Sequence, residues 1–265
     1  MSSSKRLLTH NDYTVGWISA LPLEMAAAMA MLDDSHAPLP QPRGDHNSYH
    51  LSEIGDHSIA IACLPSGVHG ITSAAIVAKQ MLFTSPSIEI GLMVGTGGGA
   101  PSDAGDIRLG DIVVSTPTDQ FPGVVQYERG KALAGRVFHR TGALNKPPEV
   151  LLTAVSNLRA RHKIGQNHIP VYLENPPSAN VLFEPSCVHQ AGAHCIDCNR
   201  ARVIRRPQRE YTTPSLHYGL IASANQVMED APTRDRLAKE NVILCYEMEA
   251  AGLMDRFPCP VSRGI

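Results

Sequence analysis

The sequence predicts an α/β fold, a three-layer α/β/α sandwich in which a mixed central sheet carries helices on both faces. Three observations lead there. Short apolar runs of strand length alternate with longer segments of helical periodicity at both ends of the chain. A glycine-rich run, Gly95-Thr96-Gly97-Gly98-Gly99, follows an apolar strand directly. Finally, Cys245-Tyr-Glu-Met-Glu-Ala-Ala-Gly-Leu-Met254 reads as a buried strand passing straight into an apolar helix, with two carboxylates where the pattern calls for hydrophobic side chains.

In order along the chain, Tyr13 to Ser19 is a buried strand, and Pro22 opens a helix at a position where its missing N–H does no harm. That helix continues through the Ala-, Met- and Leu-rich stretch from Met25 to Leu32. Tyr49 to Ile54 and Ser58 to Cys63 flank Gly55-Asp56 as a hairpin. Ile71 to Phe83 has helical periodicity and is punctuated by Pro86; Ile88 to Val94 is the next strand. Asp111 to Ser115 is a strand, Pro148 to His162 a helix, and Leu216 to Ala222 a strand that resumes the alternation. A last strand runs from Pro260 to Ile265.

Between about residues 164 and 213 the alternation stops. The stretch holds Pro170, Pro176, Pro177, Pro185 and Pro207, a Cys195-x-x-Cys198 pair, and five arginines from Arg200 to Arg209. A structureless loop of that length is unusual inside a compact domain. It reads as an irregular insertion or lid within one domain spanning residues 1–265, because strand–helix alternation returns after it.

Composition narrows the classes. The 265 residues suit one large α/β unit. A hydrophobic fraction of 43% against 18% charged residues is that of a globular chain. The formal charge of −2 gives no global attraction to nucleic acid or an anionic membrane, so neither is expected as a partner. No run approaches the ~18 apolar residues of a membrane span, and Met1-Ser-Ser-Ser-Lys-Arg lacks an apolar signal core. Six cysteines, with Cys63 and Cys245 in strand-like runs, read as reduced thiols of an intracellular, cytoplasmic protein.

Four features could carry chemistry, and each has a plainer reading. The Gly95–Gly99 run lets backbone N–H groups approach an oxyanion or a ribose, since no Cβ intervenes; it is otherwise a tight loop. It matches neither a dinucleotide fingerprint nor a Walker loop. Ser66-Gly67-Val68-His69-Gly70 could aim a helix N-terminus at an anion, though close helix–strand packing is the stronger reading. Glu24, just past the first strand, is either a general base at the active face of the sheet or a carboxylate that suits a helix first turn; on this context alone the dipole reading is the stronger. Cys195-x-x-Cys198, with Cys187, His189 and His194 near in sequence, has the look of a zinc site but lacks a second matched pair. No metal and no cofactor are therefore expected, and the thiols read as reduced and superficial. The arginines read as a solvated loop face rather than a phosphate or RNA site.

Taken in order, six stretches resemble the nucleoside phosphorylase/nucleosidase superfamily, in its fungal type. They are Val15-Gly-Trp-Ile-Ser-Ala-Leu-Pro-Leu-Glu24, Leu64-Pro-Ser-Gly-Val-His-Gly70, Met93-Val-Gly-Thr-Gly-Gly-Gly99, Arg108-Leu-Gly-Asp-Ile-Val-Val114, Tyr218-Gly-Leu-Ile-Ala-Ser-Ala-Asn-Gln-Val-Met228 and Tyr246-Glu-Met-Glu-Ala-Ala251. The resemblance implies that Met248 and Glu249 hold the ribose, Glu249 by accepting hydrogen bonds from the 2′- and 3′-hydroxyls. It implies that Thr96, Gly97 and Gly98 line the site of the attacking phosphate or water, and that Gln226 and Val227 flank the base.

The implied reaction is cleavage of the N-glycosidic bond of a purine nucleoside through an oxocarbenium-like state. The two phosphate-gripping arginines of the phosphorylases align with Glu24 and Met93, neither of them basic. A carboxylate repels a phosphate dianion, so hydrolysis with Glu24 activating water is favoured, and phosphate-dependent cleavage is the alternative. The resemblance also implies an aspartate just past Arg263-Gly-Ile that protonates the purine N7, followed by a C-terminal helix. The sequence stops at Ile265, and neither Asp230 nor Asp255 matches that position. The expectation is a C-terminally truncated domain without the end of its last strand or its last helix, with a nucleoside-binding sensor that does not turn over as a further alternative. A homo-oligomer, and membership of a larger repeat-containing protein, are implied by resemblance alone.

Overall fold

The computed structural model of the chain describes residues 8–102, 105–166, 180–189, 195, 197–209 and 213–265, with backbone only at 136 and 137. The expected prolines 170, 176 and 177 and His194 lie outside the described residues. The elements are β1 (Val15–Ser19), α1 (Pro22–Met29), β2 (Asp34–Ser35), β3 (Tyr49–Ile54), β4 (His57–Cys63), α2 (Ile71–Thr84), β5 (Ile90–Thr96), β6 (Gly98–Gly99) and β7 (Ile112–Ser115). After them come β8 (Val124–Gln126), β9 (Gly130–Leu133), β10 (Val137–Arg140), α3 (Glu149–Lys163), β11 (Leu216–Ser223), α4 (Ala231–Asn241), β12 (Ile243–Glu247) and β13 (Val261–Gly264).

Eleven strands form one mixed sheet in the order β2-β3-β4-β1-β5-β13-β7-β11-β12-β6, with β8 also on β11; β9 and β10 pair separately. The β1 strand is parallel to both β4 and β5. The β13 strand closes the centre, parallel to β5 and antiparallel to β7. Every residue of β1 and of β12 is buried, which suits strands covered on both faces.

The pleat sorts the side chains onto two faces. Val15 and Trp17 of β1 join Ile59 and Ile61 of β4 under Ala28 and Met25 of α1. Ile18, with Ala60 and Ala62, faces the other way and packs with Ala74, Val77, Ala78 and Met81 of α2. The helices therefore cover opposite faces, as the sandwich requires. On the α2 face, Gly91 of β5 admits Phe257 so closely that a Cβ there would fall 2.6 Å from the ring. A side chain at 91 would displace the ring and open the packing under it.

Two expectations need correction. The stretch after β12 does not continue as a helix: it makes a single 3-10 turn, Ala250–Gly252. The Glu247 carboxylate takes the N–H groups of Glu249 (3.1 Å) and Ala250 (2.9 Å), holding the backbone in a side-chain-capped turn. The arginine run is also only in part a solvated face, Arg200 and Arg205 being exposed. Arg202 pairs with Glu184, while Arg206 and Arg209 pair with Asp106 and Asp111. Helix α4 is additional to the sequence expectations. Its polar surface hides the helical period, and its start is fixed by Asp230, whose side chain accepts the Thr233 N–H at 3.0 Å.

Among the described residues of 164–213, the regular features are a 3-10 turn at Arg200–Arg202 and an isolated antiparallel bridge between Phe183 and Val203. No helix is long and apolar enough to cross a membrane, among the described residues.

Candidate functional site

The C-terminal ends of β1, β5, β11 and β12 converge on one cavity of about 390 Å³. In a sheet with parallel central strands this is where ligands bind, because the chain leaves every strand there in a loop. Glu24, Thr96, Gly97, Gly98, Gln226, Val227, Met248 and Glu249 all line it. The structure thus brings every sequence-expected site residue to one place. Ala20, Leu21, His69, Met228, Tyr246 and Glu247 complete the wall.

Glu24 occupies the third position of α1 and is buried. Its Oε2 accepts the N–H groups of Ala20 (2.7 Å) and Leu21 (3.0 Å), the reach-back of a helix cap. Its Oε1 accepts the Thr96 N–H at 2.7 Å and the Thr96 hydroxyl at 3.1 Å. The helix-start and site readings of this residue are therefore not exclusive: one oxygen caps α1 and the other meets the end of β5. Gly95 permits this, since a Cβ there would collide with Glu24 Oε1 and Arg263 Nη1.

The two carboxylates of Glu247-Met248-Glu249 divide the work. Glu247, at the end of β12, binds the backbone of the following turn and forms an ion pair with Arg263. Glu249 accepts N–H groups from Gly70 (3.3 Å) and Met248 (3.2 Å). Gly70 is the residue before α2 and has φ +100°, so the 66–70 loop aims an amide and the helix N-terminus at Glu249. Asn225 backs the same corner, accepting the Ile71 N–H at 2.9 Å. Burial, with the charge of Glu247 added, pushes the Glu249 carboxyl up; Arg263 and the two amides oppose this.

Arg263 lies in β13, in register with Gly95, and is fully buried. Its Nη2 binds Glu247 and lies 3.7 Å from Glu249 Oε2. Its Nε and Nη1 have no hydrogen-bond partner among the described residues. Burial pulls its pKa down, but Glu247, Glu249 and Glu24 outweigh that and raise it. The cavity therefore rests on three buried carboxylates around one guanidinium. Arg263 is not among the residues expected from the sequence; its one signal there is a single cation inside the apolar stretch Pro260-Val-Ser-Arg-Gly-Ile265.

The outer wall is apolar and open. Gln226 and Val227 sit on the loop after β11, and Val227 is 66% exposed. Tyr246 packs edge-on against Tyr127 with centroids 5.6 Å apart, and its hydroxyl donates to the Arg234 carbonyl at 2.9 Å. Met93, where a phosphate-binding arginine would align, is fully buried in the core and does not reach the cavity.

A mixed sheet with carboxylates and glycines gathered at its strand ends is the architecture of the nucleoside phosphorylases and nucleosidases. The family model of the Phosphorylase superfamily matches residues 14–255, and the chain belongs to that family. A variant of the 5′-methylthioadenosine nucleosidase of Helicobacter pylori, solved with 5′-methylthioadenosine in its active site, has the same fold. It is 15% identical, with a TM-score of 0.59 over 96% of this chain and 84% of that one. The futalosine hydrolase of H. pylori superposes with a TM-score of 0.58 at 16% identity, over 97% of this chain and 85% of that one.

A nucleotide-binding leucine-rich repeat (NLR)-like protein of Hyaloscypha variabilis is 43% identical over 274 residues. The match takes in 97% of this chain but only 27% of that relative, so the chain spans about a quarter of its length.

Proposed function

We propose that the chain binds a purine nucleoside in this cavity and cleaves its N-glycosidic bond with water. One observation carries the reading: Glu24 and Glu249 flank the Thr96–Gly98 turn in one cavity, whose charged lining, among the described residues, is made of carboxylates. An ionised carboxylate accepts two hydrogen bonds from a vicinal diol, so Glu249 grips the 2′- and 3′-hydroxyls with Met248 beside the sugar. Val227 and Gln226 flank the base, and Thr96, Gly97 and Gly98 border the space below the sugar where the nucleophile enters.

Water suits that space better than phosphate. A phosphate dianion would meet Glu24, Glu247 and Glu249, while Arg263 lies under the floor and is already paired with Glu247. Both oxygens of Glu24 hold two donors each. Activating a water therefore requires the Thr96 hydroxyl to turn away and free a lone pair on Oε1. The same saturation favours a second reading: a sensor that binds a nucleoside without turning it over.

Incubating the chain with adenosine, inosine or 5′-methylthioadenosine, with and without phosphate, tests both. Free base and free pentose without phosphate are the expected products. Strict phosphate dependence with ribose 1-phosphate as product refutes hydrolysis; calorimetric binding with no base release leaves the sensor reading. A homo-oligomer and a place inside a larger repeat-bearing protein belong to the same proposal, the latter supported by the NLR-like relative. So does a reducing, cytoplasmic setting, in keeping with six cysteines in 265 residues, Cys63 and Cys245 among them in β4 and β12.

A further inference from the structure

The segment that carries Cys187, His189, Cys195 and Cys198 has a geometry the nucleoside reading does not use. His189 Nδ1 lies 3.4 Å from Cys198 Sγ and 3.7 Å from Cys195 Sγ. One donor atom from each residue falls within 4.8 Å of the others. In a tetrahedral zinc site with Zn–S of about 2.3 Å and Zn–N of about 2.0 Å, the S···N edge is roughly 3.5 Å. The two distances in the structure bracket that edge.

Burial argues the same way. Cys198 is only 5% exposed, yet it belongs to none of the three hydrophobic clusters, unlike Cys245 and Cys259, which lie in the main one. It is a buried thiol outside the apolar core. Cys187 lies two residues before His189, and its N–H donates to the Glu184 carbonyl at 2.8 Å, but its thiol stands outside the trio of donors that fall within 4.8 Å of one another. The chain is folded back at this point. Glu184 N–H donates to the Arg202 carbonyl at 2.9 Å and Ile204 N–H to the Leu182 carbonyl at 2.8 Å, pairing the two sides of the stretch that bears the donors.

We propose that His189, Cys195 and Cys198 hold one zinc ion, that the Cys187 thiol moves in as the fourth, tetrahedral donor once the ion is bound, and that the ion fastens the segment between Leu182 and Ile204. Binding releases three thiol protons and leaves a site of net charge −1, beside which Arg200 and Arg202 lie in sequence. Three thiolates and an imidazole select zinc over the hard cations calcium and magnesium. The sequence spacing, Cys-x-His-x5-Cys-x2-Cys, lacks the two matched pairs of common zinc motifs, so only the folded arrangement brings the donors together.

Metal analysis of the full chain, purified from zinc-supplemented medium, should find about one zinc per chain, falling below about 0.2 in Cys198→Ser and staying near one in Cys63→Ala. Cobalt substitution should give intense tetrahedral bands with thiolate charge transfer, and Cys187→Ser should weaken the charge transfer by about a third as three thiolates become two. Chelation should open the 182–204 segment to protease while the rest of the chain stays resistant. Under 0.2 zinc with no cobalt bands in the wild-type chain overturns the proposal, as does equal zinc in Cys198→Ser. An unchanged cobalt spectrum in Cys187→Ser removes Cys187 from the set. Should Cys198→Ser fail to fold, the cobalt titration and the chelation experiment on the wild-type chain still decide.

Discussion

The cavity and the segment from Asn180 to Arg209 are held by different forces. The cavity stands on the ends of buried strands, with Ile18, Met93, Ile221 and Val261 of the main core behind it. Its polar groups are fixed because the sheet fixes them. The described residues of the segment join none of the hydrophobic clusters. It is tied down by arginines: Arg206 donates to the Asn180 carbonyl at 2.8 Å, and Arg209 makes a two-pronged pair with Asp111 at 2.6 and 2.7 Å. The contrast teaches that burial of carbon positions a site through many weak contacts, whereas a polar segment depends on a few strong ones and fails when one is removed.

Removing the cation under the cavity should have the largest effect. Arg263→Met leaves Glu247 and Glu249, both buried, without the cation between them. Breaking one partner of a buried pair costs about 3–5 kcal/mol, to be read by urea denaturation. A loss under about 1 kcal/mol would mean that the carboxylates protonate or find other partners, and would blur the contrast between the two regions.

Glu249→Gln separates positioning from stability within the cavity. Losing two charge-assisted hydrogen bonds to the sugar should lower kcat/KM, or nucleoside affinity if there is no turnover, by about 100-fold. Because the folded environment raises the pKa of Glu249, its charge opposes folding at neutral pH, and the melting temperature should not fall. A fall in melting temperature with unchanged nucleoside binding would take the residue out of the sugar site.

Acid should also loosen the segment's anchor. Burial alone would raise the Asp111 carboxyl, but hydrogen bonds from Arg209, His217 and the Ser215 and Arg108 backbones hold it well below the usual range. A depressed folded pKa contributes stability that is complete above the unfolded value of about 3.9 and is lost as pH falls below it. Asp111→Asn should cost about 2 kcal/mol at pH 7 and flatten the stability profile below pH ~4. An unaltered acid limb would show that another carboxylate dominates.

The smallest effect is a gain. Val242, between α4 and β12, is the one non-glycine residue of positive φ among the described residues, at φ 57°. A β-branched side chain there is strained, so Val242→Gly should stabilise by about 1 kcal/mol without touching the cavity. A loss would mean that its side-chain packing outweighs the backbone strain.

Much of this was legible in the chain, and the reason is periodicity. Strand and helix faces repeat every two or 3.6 residues, so β1, α2, β5 and β11 are marked by local pattern. The eight candidate residues that share the cavity are singled out through the resemblance of six ordered stretches, since periodicity marks strands and helices but assigns no role. What the pattern does not encode is which strand lies beside which. The 261–264 strand became the centre of the sheet only by pairing with β5 and β7, and that pairing placed Arg263 under three carboxylates. Likewise Cys198 and His189 meet because the chain turns back on itself between Leu182 and Ile204, a long-range hydrogen-bonding arrangement that residue spacing does not specify. Sequence alone settled which residues prefer the interior. Tertiary structure decided which charges share it, because the energy of a buried ion depends on its neighbours in space rather than in the chain.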